Sequence, residues 1–321
     1  MILPGTFENV QLVAQTLMTG EVAAFPTETV YGLGALYDNE RALQKIFALK
    51  KRAATNPLIV HGDCIEKLSL IVDISSLTSF QKQSLNTLSL FWPGPLSIIL
   101  PSKDSVSSTL RAGHTSVAFR IPSHPIALSL IQATNSLIAA PSANISKRVS
   151  PTCAAHVNEE FGDSLLILDG GACEKGLEST VVSLMNDKIK ILRPGSITAE
   201  MLSDSLKCSI ESLNAIDDSI TTSSPGHEKL HYAPNTPLYF IGCAPSELRK
   251  KITLYLSTPA DIPSSEHIIL SNTSNEAEAA AKLYGTLREI DKMGFDAIEI
   301  EKPSSSGIGT ALLDRLNRAQ S

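Results

Sequence analysis

Val22-Ala23-Ala24-Phe25-Pro26-Thr27-Glu28-Thr29-Val30-Tyr31-Gly32-Leu33-Gly34 begins as an apolar run of strand character. It then breaks into small hydroxyls, one carboxylate and two glycines, where the chain is expected to turn. Residues 40–50 follow with helical patterning and close on three adjacent cations, Lys50-Lys51-Arg52. Ala53-Ala54-Thr55-Asn56-Pro57 then leads into a second apolar run at 58–60. Strand, polar turn, helix and strand in that order is the signature of an α/β sheet. A hydroxyl-rich turn facing a cationic helix end suits a small polar substrate and an anionic cosubstrate.

The same alternation continues outward. Strands are expected at 22–25, 58–60, 96–100, 117–121, 137–140, 165–168, 180–184 and 189–192. Helices are expected at 7–19, 40–50, 78–90, 125–133, 153–161 and 199–206, with Asp38 as N-cap of the second. Late strands follow one another closely, which predicts a mixed sheet rather than a purely parallel one. Residues 217–237 are rich in Ser, Thr, Pro, Gly and Asn and read as an interdomain linker. A second, smaller α/β unit follows, with strands at 238–241, 253–256, 268–270 and 297–300. Its helices are expected near 245–250, 275–292 and 309–319. In the long helix Leu283, Leu287 and Ile290 recur at i, i+4 and i+7, giving one apolar face.

Composition excludes several function classes. The chain has 321 residues and 43% hydrophobic content, enough for two packed domains. No run is long and apolar enough to span a bilayer, which takes roughly 20 residues. The start, Met1-Ile2-Leu3-Pro4-Gly5, lacks the basic and apolar regions of a secretory signal. Five scattered cysteines form no CxxC pair, so neither a disulfide framework nor structural zinc is expected, and a reducing cytoplasm is the plain reading. Net charge is −6, and residues 1–203 balance 17 acidic against 16 basic side chains. A dedicated nucleic-acid binder would carry a cationic footprint instead.

Individual residues leave alternatives open. Arg120 interrupts the apolar Val117-Ala118-Phe119-Arg120-Ile121 strand. A buried guanidinium needs a partner, either a structural carboxylate or a bound anion. Pro141-Ser142-Ala143-Asn144-Ile145-Ser146-Lys147-Arg148 follows a strand end, where an α/β sheet collects ligand groups, though an ordinary Asx/Ser loop fits equally. The Gly176-Leu177-Glu178-Ser179-Thr180 turn sets a carboxylate and hydroxyls at a strand start. His61, after Leu58-Ile59-Val60, reads on its own as a structural histidine. Neither Gly32-x-Gly34 nor Gly307-x-Gly309 completes a dinucleotide fingerprint, and there is no GxxxxGK[ST] loop, so any bound ATP is held without a Walker loop.

As a set, residues 26–34, 50–58, Trp92-Pro93-Gly94-Pro95, Arg120-Ile121-Pro122-Ser123-His124-Pro125, 141–144, Ser150-Pro151-Thr152, 178–182 and Arg193-Pro194-Gly195 resemble the threonylcarbamoyl-AMP synthase family (YrdC-like proteins). Ser224-Pro225-Gly226 and His231-Tyr232-Ala233-Pro234, followed by a small domain, resemble its long two-domain form. The resemblance implies a YrdC-like twisted mixed sheet flanked by helices over 1–206. It implies a linker over the active site at 207–236 and a smaller Rossmann-like α/β C-terminal domain over 237–321. It implies a nucleotidyltransferase making threonylcarbamoyl-AMP and pyrophosphate from L-threonine, bicarbonate and ATP, with Mg²⁺ carried by the ATP phosphates. The product would pass to a tRNA threonylcarbamoyl-transfer complex that modifies adenosine 37. By the same resemblance Lys50 and Arg52 are catalytic. Thr29, His61, Arg120, Ala140 and Ser179 line the threonine site. Arg52, Asn56, Ser116, Ser142, Asn144, Ser150, Arg193 and Tyr232 hold ATP. Ala53, where proline is common, and Leu230, where arginine is frequent, depart from the family pattern. The competing reading is an ATP-responsive RNA-binding module of the same fold.

Overall fold

The computed structural model describes residues 1–209, 232–261 and 266–320. The central part of the expected linker, including Pro225, Gly226 and His231, lies outside the described residues. The first sheet has ten strands: β1 (Ile2–Pro4), β2 (Ala23–Phe25), β3 (Gly32–Leu36), β4 (Ile59–His61), β5 (Leu96–Pro101), β6 (Ser116–Arg120), β7 (Ile138–Ala139), β8 (Leu166–Asp169), β9 (Thr180–Ser183) and β10 (Lys190–Arg193). Their spatial order is β1-β8-β2-β3-β7-β4-β6-β5-β9-β10. The sheet is mixed: β4 pairs with β6 and β5 with β9 in parallel, while β2/β3, β4/β7, β5/β6 and β9/β10 are antiparallel. Around it lie α1 (Phe7–Met18), α2 (Glu40–Lys50), α3 (Ser79–Leu88), α4 (Ser108–Arg111), α5 (Pro125–Thr134), α6 (Ala154–Phe161) and α7 (Ala199–Leu206).

Two glycines expected in the turn lie in a strand instead. Gly32 opens β3 and Gly34 pairs with Ala23. A Cβ on Gly34 would come within 2.8 Å of both the Phe25 ring and Ile138. Close packing against an aromatic ring therefore requires glycine there, not an unusual backbone angle. The turn itself is confined to residues 26–31. Asn39, not Asp38, caps α2, its side chain accepting from Ala42 N. α2 ends on Lys51 in the left-handed conformation at φ 50°. His124 proves structural: its Nδ1 accepts from Ile126 N and caps α5, with Pro125 at the first helical position.

A second, wholly parallel sheet holds β11 (Leu238–Phe240), β12 (Lys251–Tyr255), β13 (His267–Ile269) and β14 (Ala297–Ile300) in the order β11-β14-β12-β13. It packs with α8 (Glu276–Ile290) and α9 (Gly307–Ala319). The helix expected near 245–250 is absent: that stretch is turns and bends. Its short sequence, opened by Pro245 and lacking an apolar repeat, has no face to bury. The apolar core of this unit (Leu254, Leu283, Leu287, Leu312 and neighbours) also takes in Val30, Val149 and Leu177, residues that follow β2, β7 and β8 in the first unit. No helix among the described residues is long and apolar enough to cross a membrane.

Candidate active site

One cleft of about 570 Å³ opens over the first sheet. Its floor is set by strand periodicity. Ile59 and His61 share a face of β4, and the parallel register brings Arg120 of β6 level with His61. The turn after β2 closes one wall. Thr27 Oγ1 accepts from the backbone N–H groups of Thr29 and Val30, at 3.2 Å each, and lies 2.8 Å from Thr29 Oγ1. This side-chain-built turn aims the Thr29 hydroxyl at Arg120, whose Nη1 donates to it at 3.0 Å. Ala140, held by its N–H donating to Ile59 O, closes the opposite side next to Ser142.

The far wall comes from β9 and β10. Arg193 donates from Nε to Ser179 O and from Nη2 to Ser179 Oγ, both at 3.0 Å, and Ser179 Oγ contacts Ser97 Oγ at 2.8 Å. Gly195 permits this closure, because a Cβ there would lie 2.5 Å from Thr180 N and 2.8 Å from Glu178 O. Tyr232, buried and at φ 63°, completes the wall.

Nine of the residues expected from the resemblance meet in this cleft: Thr29, Arg52, His61, Arg120, Ala140, Ser142, Ser179, Arg193 and Tyr232. Lys50, Asn56, Ser116, Asn144 and Ser150 do not line it. Lys50 is buried behind the 142–144 loop, its ammonium donating to Ser142 O and Asn144 O at 2.5 Å each. Burial, and then the Arg52 charge, push its pKa well below the lysine range. Asn144 braces the same loop, its Nδ2 donating to Ile145 O and Arg148 O. Asn56 orients Arg52: Arg52 Nη2 donates to Asn56 Oδ1 at 2.6 Å and Nε to Asn56 O at 3.0 Å. Ser150 is fully buried and donates to Glu178 Oε1 at 2.6 Å. Ser116 is buried at the start of β6, where it pairs with Pro101 of β5.

Arg120, which lines the cleft, has a structural partner in Glu28, which does not. Its Nη2 lies 2.7 Å from Glu28 Oε1, both side chains 4% exposed, and Nε donates to Gly94 O. Burial alone would raise the Glu28 pKa, but the Arg120 guanidinium holds it below the usual carboxylate range. Burial, and then the Arg120 charge, push His61 down to about 3, so its imidazole is neutral. His61 Nδ1 is buried and has no hydrogen-bond partner in the protein.

Sequence reasoning passed over two residues. Glu28 was read only as part of the turn, although a lone carboxylate beside a lone buried arginine is the signal for a pair. Glu178 was noted only in its turn. It borders the cleft and accepts from Ser150, from Tyr284 Oη at 3.1 Å and from Arg315 Nε at 2.8 Å. Desolvation works against its charge, yet Arg315 and Arg193 hold its pKa at about 2. Two of its partners, Tyr284 and Arg315, lie more than 100 positions away, beyond the reach of local pattern.

A family model described as telomere recombination, covering Sua5, YciO and YrdC proteins, matches residues 15–195. A second, described as the threonylcarbamoyl-AMP synthase C-terminal domain, matches residues 197–321. The threonylcarbamoyl-AMP synthase of Bacillus subtilis is 38% identical over 320 residues, covering 95% of this chain and 91% of the relative. That of Pyrococcus abyssi is 34% identical, covering 97% and 94%. The crystal structure of P. abyssi Sua5 complexed with L-threonine superposes with a TM-score of 0.86 at 32% identity, over 99% of this chain and 97% of that one. The chain belongs to the threonylcarbamoyl-AMP synthase family, in the long form that carries the C-terminal domain.

Proposed function

We propose that this chain is an L-threonylcarbamoyladenylate synthase, a nucleotidyltransferase that joins L-threonine, bicarbonate and ATP into threonylcarbamoyl-AMP and pyrophosphate. The observation that carries the reading is a single cleft bringing hydroxyls and a neutral histidine together with three arginines. One side, with Thr29, His61, Arg120, Ala140 and Ser179, suits threonine. Arg120 lines that side, and a guanidinium is suited to pairing with a carboxylate. The other side, with Arg52, Ser142, Arg193 and Tyr232, suits the nucleotide.

In this reading the threonine amine and bicarbonate give an N-carboxy-threonine carbamate, releasing water. A carbamate oxygen attacks the α-phosphorus, its new P–O bond replacing the bond to the pyrophosphate oxygen. No protein nucleophile is needed. The chain contributes position and charge: Arg52 and Arg193 face the phosphates, while Asn56 fixes Arg52 and Ser150 fixes Glu178. Lys50 and Asn144 hold the 142–144 loop from behind. Glu178, which lines the cleft, and Glu28, which does not, are both committed to arginines, so Mg²⁺ enters with the ATP phosphates as part of the substrate.

Residues 1–206 act as the catalytic unit, 207–236 as the connecting linker and 237–321 as the C-terminal domain. The product passes to the tRNA threonylcarbamoyl-transfer machinery in the cytoplasm.

The test is pyrophosphate release from purified protein with MgATP, bicarbonate and L-threonine, each cosubstrate omitted in turn. Release that requires both is expected. Release without either, or salt-sensitive RNA binding with no release, overturns the reading.

A further inference from the structure

Among the described residues Arg315 is the largest fully buried side chain, 1% exposed, yet it lies on α9 and lines no part of the cleft. Apart from Asp314 on its own helix, its contacts run to groups that do, or to their immediate neighbours. Nε donates to Glu178 Oε2 at 2.8 Å, and Nη2 donates to Pro194 O at 3.0 Å, one residue after Arg193. The guanidinium carbon lies 5.0 Å from the centre of the Tyr232 ring, which stacks in turn on Tyr284 at 6.1 Å and 17°. Nη1 meets Asp314, a neighbour on the same helix. Tyr284, on α8, adds its hydroxyl to Glu178. One turn further along α8, Arg288 donates to Val149 O and to Glu160 Oε1, and Glu160 accepts from Ile145 N. Thus α8 and α9 fasten two segments of the cleft, the turn at Glu178 and the strand end at Arg193–Pro194, together with the 145–150 loop that follows Ser142.

A buried ion pair is weak evidence of stability, since apolar side chains of equal volume hold a core as well. A planar guanidinium adds direction: it fixes several acceptors in one plane. We infer that Arg315 is a positioning residue for the nucleotide side of the cleft, acting through Glu178 and Pro194 on Ser150, Arg193 and Tyr232. The C-terminal domain is then part of the machinery that binds ATP and not only a support for the linker. The inference rests on the function proposed above.

The experiment uses the full-length chain. ATP Kd is measured by calorimetry without threonine, and steady-state KM values for ATP and threonine are measured beside it. Arg315→Met keeps volume and removes the charge. It is expected to raise the ATP Kd at least tenfold while the threonine KM moves less than threefold. Arg315→Lys, with the charge but not the fork, is expected to recover part of the loss. Tyr284→Phe, which removes one hydroxyl and keeps the ring, reads the same network should Arg315→Met not fold, with an expected rise of about threefold. Leu312→Ala cuts a cavity in the same helix without touching Glu178 and is expected to leave the ATP Kd unchanged. A folded Arg315→Met with wild-type ATP Kd overturns the inference, as does an equal weakening in Leu312→Ala. If Arg315→Met does not fold, an unchanged ATP Kd in Tyr284→Phe overturns it. Wild-type protein that binds ATP but releases no pyrophosphate overturns the proposed function instead, and the Kd comparison still decides the role of Arg315.

Discussion

Glu28 and the cleft-lining Arg120 form a buried pair, and removing one partner strands the other. Glu28→Gln leaves a buried guanidinium without its counter-charge, so a stability loss of about 3–5 kcal/mol is expected by urea denaturation. Arg120→Ala is expected to abolish threonine-dependent turnover while ATP still binds; unchanged threonine dependence in that variant removes Arg120 from the substrate site. His61 gives a pH signature. Its folded pKa is about 3 against an ordinary value of 6.5. Between those limits the unfolded chain takes up a proton that the folded protein refuses, so stability falls as pH drops through the window. One such group contributes a slope of up to about 1.4 kcal/mol per pH unit. His156, pushed to about 4 by burial and then by Arg288, adds to the same limb. His61→Gln should therefore flatten, without abolishing, the loss of stability between pH 7 and pH 5. An unchanged slope shows that His61 titrates normally.

Helices were the more legible elements because caps and apolar repeats are local. The expected helices at 40–50 and 199–206 match α2 and α7 to the residue. The cap of α2 was misplaced by one position, since Asp38 and Asn39 are both competent and backbone geometry chose between them. Asn39→Ala is expected to cost about 1 kcal/mol. It lies at the end of α2 away from Lys50, so the ATP KM should not change. Lys51, left-handed at the other end, is a site where glycine relieves strain, and Lys51→Gly should gain up to about 1 kcal/mol in the same denaturation assay. Short strands were less legible. β1 has three residues and β3 begins with two glycines in three positions, so neither shows alternation or β-branched enrichment. Both exist because the sheet supplies partners: β1 pairs with β8, and β3 lies between β2 and β7.

At the scale of the molecule, the two sheets share a core. Val30, Val149 and Leu177 pack into the cluster built by α8, α9 and the parallel sheet. Leu283→Ala is expected to cost 2–5 kcal/mol, in the usual range for truncating a buried leucine. The sole tryptophan, Trp92, packs against the core of the first unit and reports on it alone. Its fluorescence transition in urea should move to lower denaturant in Leu283→Ala, because the units unfold as one. A Trp92 midpoint identical to wild type shows that they unfold separately. The sequence by itself determined the alternating α/β plan, the mixed first sheet, the second unit and most of the residues that line the cleft. The plan follows from periodicity, and the cleft residues from the family resemblance carried by motifs at strand ends, where a handful of neighbouring positions hold the information. Only the tertiary structure decided what each charged group faces. Glu28 holds Arg120, Lys50 serves a loop instead of the cleft, and Glu178 answers to Arg315 from the far end of the chain. Such pairings depend on distances between segments more than 90 positions apart, and the energy of a buried charge is fixed by those distances and not by its neighbours in sequence.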